Sequence, residues 1–137
     1  MTFKNPSREK IAEVLKKSKT IAVVGLSDKP HRTSYQISKA MQEAGYRIIP
    51  VNPTINEALG KKAVARLSDI TEPIDIINVF RRSEFLPDVA KEASAIPAQA
   101  FWGQQGVIHE EAYEELKDKD MAVIMDVCIK VAHAVYL

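Results

Sequence analysis

The 137-residue chain, 46% hydrophobic and 27% charged, has the composition of one folded domain with room for a core of its own. A formal net charge of +1 supplies no general basic field for a nucleic-acid backbone, and no segment approaches the roughly 20 apolar residues of a membrane span. One cysteine, Cys128, excludes an internal disulfide framework and a multi-cysteine metal site, and the three histidines are scattered. The opening MTFKNPSREK lacks the apolar core of a signal peptide, so a cytoplasmic protein is expected, one domain over residues 1–137 with a leading helix within residues 1–18.

That helix is predicted over Ser7 to Lys17, where Ile11, Val14 and Leu15 share a face and Ser7 stands at the N-cap. Ile21 to Gly25 follows as a continuous apolar run, suited to a central parallel strand covered on both sides. After a polar loop, Ser34 to Ala44 has helical spacing with Gly45 as its stop, and Arg47 to Val51 forms the second strand. Thr54 to Pro73 is less regular, with Val64-Ala65 a brief extended piece and Leu67 to Ile70 a helical turn. Ile74 to Phe80 is the third strand, and a helix opens at Ser83-Glu84. Ala98 to Trp102, a helix over His109 to Lys119, a strand over Met121 to Met125 and a closing segment from Ile129 to Tyr136 complete the chain. Strands alternating with helices imply an α/β, Rossmann-like fold: a mostly parallel sheet of about five strands with helices on both faces, flavodoxin-like strand order being the topological alternative.

In such sheets ligands sit beyond the carboxyl ends of the strands, so the residues that follow each strand carry the functional information. The first of these loops, Gly25-Leu26-Ser27-Asp28-Lys29-Pro30-His31-Arg32-Thr33-Ser34, has one glycine where a dinucleotide fingerprint has three. Gly25 allows a tight turn, Ser27, Thr33 and Ser34 supply hydroxyls, Arg32 a bidentate cation, and the helix start near Ser34 free amides for a phosphate; alternatively Ser34 simply caps its helix. The second strand ends in Asn52-Pro53 with no acid between Glu43 and Glu57, so the ribose-binding carboxylate of an NAD site is missing. Lys61, Lys62, Arg81 and Arg82 suit a more heavily phosphorylated nucleotide, such as a 3′-phosphorylated ADP, with Arg81 after Phe80 the preferred contact. Trp102 either lines a ligand channel or belongs to the core, and Gln104 can bind an amide. Neither Cys128 nor the pair Asp28 and Asp126 has a visible catalytic partner, so no catalytic machinery and no metal site are identified.

The set IAVVGLSDKPHRTSYQIS, GYRIIPVNP, IDIINVFRR, AFWGQQG and VIMDVCIKVAH, five motifs in order from about Ile11 to His133, resembles the small bacterial CoA-binding proteins, single Rossmann-like domains similar to the CoA-binding domain of the succinyl-CoA synthetase α subunit. The resemblance implies a site for coenzyme A or an acyl-CoA. Gly25, Ser27 and Arg32 match the first phosphate loop, Asn52 and Pro53 the adenosine side, and Val79, Phe80 and Arg81 the segment over the nucleotide. Trp102, Gln104 and Gly106 match the motif nearer the pantetheine arm, and Cys128 the family's cysteine after the last strand, whereas Val127 replaces a common arginine. The synthetase's phosphohistidine domain has no counterpart in these 137 residues, so ligase activity is not expected to carry over. The expected function is non-catalytic CoA binding for sensing, buffering or presentation; the alternative is a small NAD(P)-linked enzyme or an acyl-CoA-using one acting through Cys128. No nucleic-acid or membrane partner is expected, and no protein partner is indicated.

Overall fold

The computed structural model describes residues 3–137; Met1 and Thr2, the start of the expected leading segment, lie outside the described residues. Helix α1 spans Arg8–Lys17, with Ser7 Oγ accepting from the Lys10 N–H, Glu9 in the first turn and Lys16 and Lys17 in the last, as the helix dipole favours. It is followed by β1 (Thr20–Val24), α2 (Thr33–Glu43), β2 (Arg47–Val51), β3 (Ile76–Val79), α3 (Leu86–Ala93), β4 (Ala100–Gly103), α4 (Glu110–Leu116), β5 (Ala122–Ile124) and α5 (Ile129–Tyr136). Between β2 and β3 a hairpin pairs Glu57–Ala58 with Lys61–Lys62, and a 3-10 turn covers Leu67–Asp69.

The five strands are parallel, in the spatial order β2-β1-β3-β4-β5. Val64 adds a single parallel bridge outside β2, donating its N–H to Pro50 O (3.0 Å) and accepting from the Asn52 N–H (2.8 Å). Counted alone, the strands have the flavodoxin-like order; with the Val64 fragment as a vestigial third strand, they follow the order of dinucleotide folds. Either way the order reverses between β1 and β3, and the crevice opens at their carboxyl ends.

Because successive side chains in a strand point to opposite faces, each strand feeds two cores. Ala22, Val24, Ile77, Val79, Phe101 and Val123 pack with α3 and α4 on one face. Ile21, Val23, Ile48, Ile76, Trp102 and Ile124 pack with α1, α2 and α5 on the other. The continuous apolar runs of the strands are thus a consequence of two-sided burial.

Some boundaries differ from expectation. The chain after β3 first makes a 3-10 turn, Ser83–Phe85, and becomes α-helical at Leu86, with Pro87 in the first turn where its missing N–H does no harm. β4 begins two residues later than the apolar run, since the Ala98 N–H closes a local turn onto Ile96 O.

The segment before α1 meets the sheet through Asn5, just past the end of β5. The Asn5 side chain mimics a strand there: Nδ2 donates to Met125 O and Oδ1 accepts from the Met125 N–H, both at 2.9 Å. Phe3 is buried, its ring 5.2 Å from that of Tyr113. Asn5→Ala is expected to destabilise the fold by about 1–2 kcal/mol, the cost of two unmet main-chain groups at a partly buried edge, measured by urea denaturation.

Candidate ligand site at the strand ends

The site is organised around Gly25. Its φ of +89° lies in the left-handed region, and a Cβ placed on it would stand 2.4 Å from the carbonyl oxygen of Phe80. Only glycine permits both the turn and the approach. The main chain on either side is tied: the Gly25 N–H donates to Val51 O (2.8 Å) and the Phe80 N–H to Val24 O (2.8 Å). Leu26 is buried in the core as the anchor of the loop, and its carbonyl accepts from Asn52 Nδ2 at 3.0 Å. The Asn52 carbonyl oxygen accepts from the N–H and hydroxyl of Thr54 (2.9 and 2.7 Å), so this amide braces two loops.

Ser34 does not cap its helix. α2 begins at Thr33 with Arg32 in the cap position, and Ser34 Oγ, buried, instead accepts from the Ser27 N–H at 3.0 Å. The hydroxyl of Ser27 in turn accepts from the Lys29 N–H (3.1 Å). The start of α2 therefore has no side-chain cap and no acid in its first turn. Its leading N–H groups and the positive end of its dipole are available to an anion, with Arg32 and Thr33 exposed beside them.

A cavity of about 580 Å³ lies over the crevice between β1, β2 and the segment after β3. Gly25, Asn52, Pro53, Phe80 and Arg81 line it, together with Arg66, Arg82, Phe85, Asp88 and Glu92. Arg81 lies over the Phe85 ring, 4.5 Å from its centroid, and Arg82 pairs with Glu84 at 3.3 Å in full solvent. Arg66 and Phe85 were not singled out from sequence; Arg66 reaches the cavity from the irregular segment before Leu67, where no motif marks it. Lys61 and Lys62 line a separate cavity of about 250 Å³ beside Arg47 and Glu72.

A second cavity, of about 420 Å³, shares Phe80, Arg81 and Arg82 with the first and is completed by Thr33, Ile37, Gln104, Gln105 and Val107. Val79 and Trp102 contribute no side chain to either. Val79 lies wholly in the core, its carbonyl accepting from the Gln104 N–H (3.2 Å), and the Trp102 indole is wholly buried, its Nε1–H donating to Val127 O (2.8 Å). Gly106, at φ +84°, donates its N–H to Asp126 Oδ1 (2.7 Å). Cys128, half-buried at the cap position of α5, faces a third groove of about 390 Å³ with Asp126, Val131 and Val135. His133 packs edge-on against Tyr46, with ring centroids 5.7 Å apart. Among the described residues no His, Cys, Asp and Glu side chains cluster as a metal site would require.

The fold is thus a doubly wound parallel sheet whose switch-point crevice is flanked by arginines and by an uncapped helix start at its first loop. The chain belongs to the CoA binding domain family, which it matches over residues 19–134. It is 65% identical over 133 residues to the uncharacterized protein YneT of Bacillus subtilis (strain 168), covering 97% of this chain and 98% of YneT. The solved structure titled "The structure of cell-free ID.343 from Thermus thermophilus" superposes with a TM-score of 0.91 at 35% identity, covering 96% of this chain and 100% of that one. The ADP-forming acetate–CoA ligase of Methanocaldococcus jannaschii is 27% identical over 74 residues, 54% of this chain and 10% of that enzyme.

Gly25→Ala is expected to lower stability by about 2–3 kcal/mol or more, since a Cβ there meets both an unfavourable φ and the Phe80 carbonyl. Chemical denaturation checks it, with Gly45→Ala, where a Cβ meets nothing within 4 Å, as the control for φ alone.

Proposed function

We propose that the chain binds coenzyme A, free or carrying a short acyl group, across the carboxyl ends of its strands, as a one-domain cytoplasmic module that senses, buffers or presents the ligand. Membership of the CoA binding domain family supports the ligand class. The observation that carries the reading in this chain is the conjunction of the uncapped, acid-free start of α2 with the arginine-lined cleft beside it. In this reading the pyrophosphate lies on the leading amides of α2 near Arg32, and the 3′-phosphorylated adenosine occupies the larger cavity against Phe80, with Arg81 and Arg66 in reach of its phosphate. The arm then passes over Phe80 into the second cavity.

NAD suits this crevice poorly. Ribose hydroxyls need an acceptor at the end of β2, and Asn52 there has its amide engaged with Leu26 and Thr54. No described helix is long and apolar enough to cross a membrane.

Isothermal titration against CoA, dephospho-CoA, NAD and NADP tests the reading. CoA is expected to bind, dephospho-CoA to bind roughly 10-fold more weakly for want of its 3′-phosphate contact, and NAD not to bind. Binding of NAD with none of CoA overturns it. Arg81→Ala is expected to weaken CoA by about 10-fold while leaving dephospho-CoA nearly unchanged, which locates the 3′-phosphate at that guanidinium.

A further inference from the structure

Among the described residues the buried polar ones are Ser18, Ser34, Ser38, Asn78 and Gln104. Ser18 Oγ donates back to Val14 O at 2.6 Å, and Ser34 Oγ accepts from the Ser27 N–H at 3.0 Å. The other three each carry a buried atom with no partner among the described residues: Ser38 Oγ, Asn78 Oδ1 and Gln104 Nε2. An unbonded polar atom away from water is destabilising, and folded proteins rarely leave one so.

All three belong to one side of the sheet. Asn78 stands in register between Val23 of β1 and Trp102 of β4, whose side chains pack in the core under α1, α2 and α5. Neighbours in register share a face, so the Asn78 amide enters the same layer. Gln104 lies two residues beyond Trp102, with its N–H still on the β3 ladder at Val79 O (3.2 Å), and alternation returns its side chain to that face. There its Oε1 accepts from the N–H of Ile129, a residue of the same core, at 3.2 Å. With strands about 4.8 Å apart and a rise of about 3.3 Å per residue, the Cα atoms of Asn78 and Gln104 stand roughly 8 Å from each other, so both amides reach the space between them. Ser38 comes from the helix above. The buried stripe of α2 is Ser34, Ser38 and Met41, and Met41 and the adjoining Ile37 pack in this layer. Ile37 also lines one cavity together with Gln104 and Phe80, which brings this turn of α2 close to the end of β4.

The chemistry of the set matches one small neutral molecule. Gln104 Nε2 can only donate, its amide being turned by the Ile129 N–H; Asn78 Oδ1 can only accept; the serine hydroxyl does either. A direct bond between the two amides would satisfy both, and none forms. The amide N–H repels a cation and the carbonyl an anion, whereas water accepts and donates and is ordinarily held in interiors by two to four polar partners. We infer that Ser38 Oγ, Asn78 Oδ1 and Gln104 Nε2 hold one ordered water molecule between α2 and the sheet, which accepts from Gln104, donates to Asn78 and completes its bonding at Ser38. The water ties α2 to β3 and, through Gln104 and Ile129, to α5, so the helix whose start faces the crevice is seated without help from a ligand. The inference is independent of the CoA reading.

A high-resolution crystal structure of the full chain tests it. The expected result is a single water within about 3.2 Å of all three atoms. No density between them, a direct bond between the Asn78 and Gln104 amides, or a water that leaves any of the three unbonded overturns the inference. In solution, Asn78→Leu separates the alternatives by the sign of its effect on the urea midpoint. Were Asn78 Oδ1 unbonded, an apolar side chain of the same shape would relieve a penalty and raise the midpoint. With the water in place, leucine removes its acceptor and strands Gln104 and Ser38, so the midpoint is expected to fall. An unchanged or raised midpoint overturns the inference, and the crystal structure of the wild type decides if Asn78→Leu does not fold.

Discussion

The approach of Gly25 to the Phe80 carbonyl sets the geometry of the whole strand-end region. A parallel sheet sends its chain from β1 outward to β2 and then back across to β3, so the loops after β1 and β3 leave the sheet as immediate neighbours. They can share one crevice only if nothing projects between them. A side chain at position 25 would drive them apart by about an ångström, since ordinary contact needs about 3.4 Å where 2.4 Å is available. The start of α2 would move with the first loop. Asn52 completes the arrangement by bracing the end of β2 to Leu26, so three strand ends form one unit before any ligand arrives. A site held this way costs little ordering on binding.

The rest of the rim is laced by side chains that reach from one loop to the next. Ser83 Oγ donates to Gly106 O (3.2 Å) and accepts from the Ile108 N–H (3.0 Å), which joins the segment after β3 to the one after β4. Asp126 continues the line by accepting from Gly106, and Trp102 and Gln104 fasten the start of α5 through Val127 and Ile129. Several motif residues therefore serve the site through the backbone they hold rather than through their own side chains. Trp102 and Val79 are the plainest cases, both wholly inside the core.

How much of this was readable follows from the kind of order each part carries. β2 and α5 keep the bounds expected of them because the apolar pattern and its stops, Gly45 before and Asn52-Pro53 after the one, Cys128 before the other, leave little freedom. In the stretch from Thr54 to Pro73 the extended piece at Val64 and the turn at Leu67–Asp69 were legible, whereas the pairing of Glu57–Ala58 with Lys61–Lys62, two residues a side, is too short to show a period. Arg66 was missed because its place beside Arg81 depends on how that irregular segment folds back. Ser34 was read as a hydroxyl for a phosphate, with capping of its own helix as the alternative; its oxygen instead accepts from the Ser27 N–H, seven residues earlier, a bond that no local pattern announces. The orientation of the Gln104 amide is set by an N–H 25 residues further on, and no local pattern encodes such a bond.

The two borders of the sheet share a property that bears on how copies of the chain can meet. At one border, Pro50 carries no N–H at the point where β2 would otherwise present a donor to a newcomer, and its carbonyl is already taken by Val64. At the other, both main-chain groups of Met125 are occupied by the Asn5 amide. Strand addition, the commonest route by which sheets recruit peptides or fuse into fibres, is blocked at these points from within the chain. At these two points an approaching chain meets side chains and already paired main-chain groups, and not the indiscriminate ladder of the backbone.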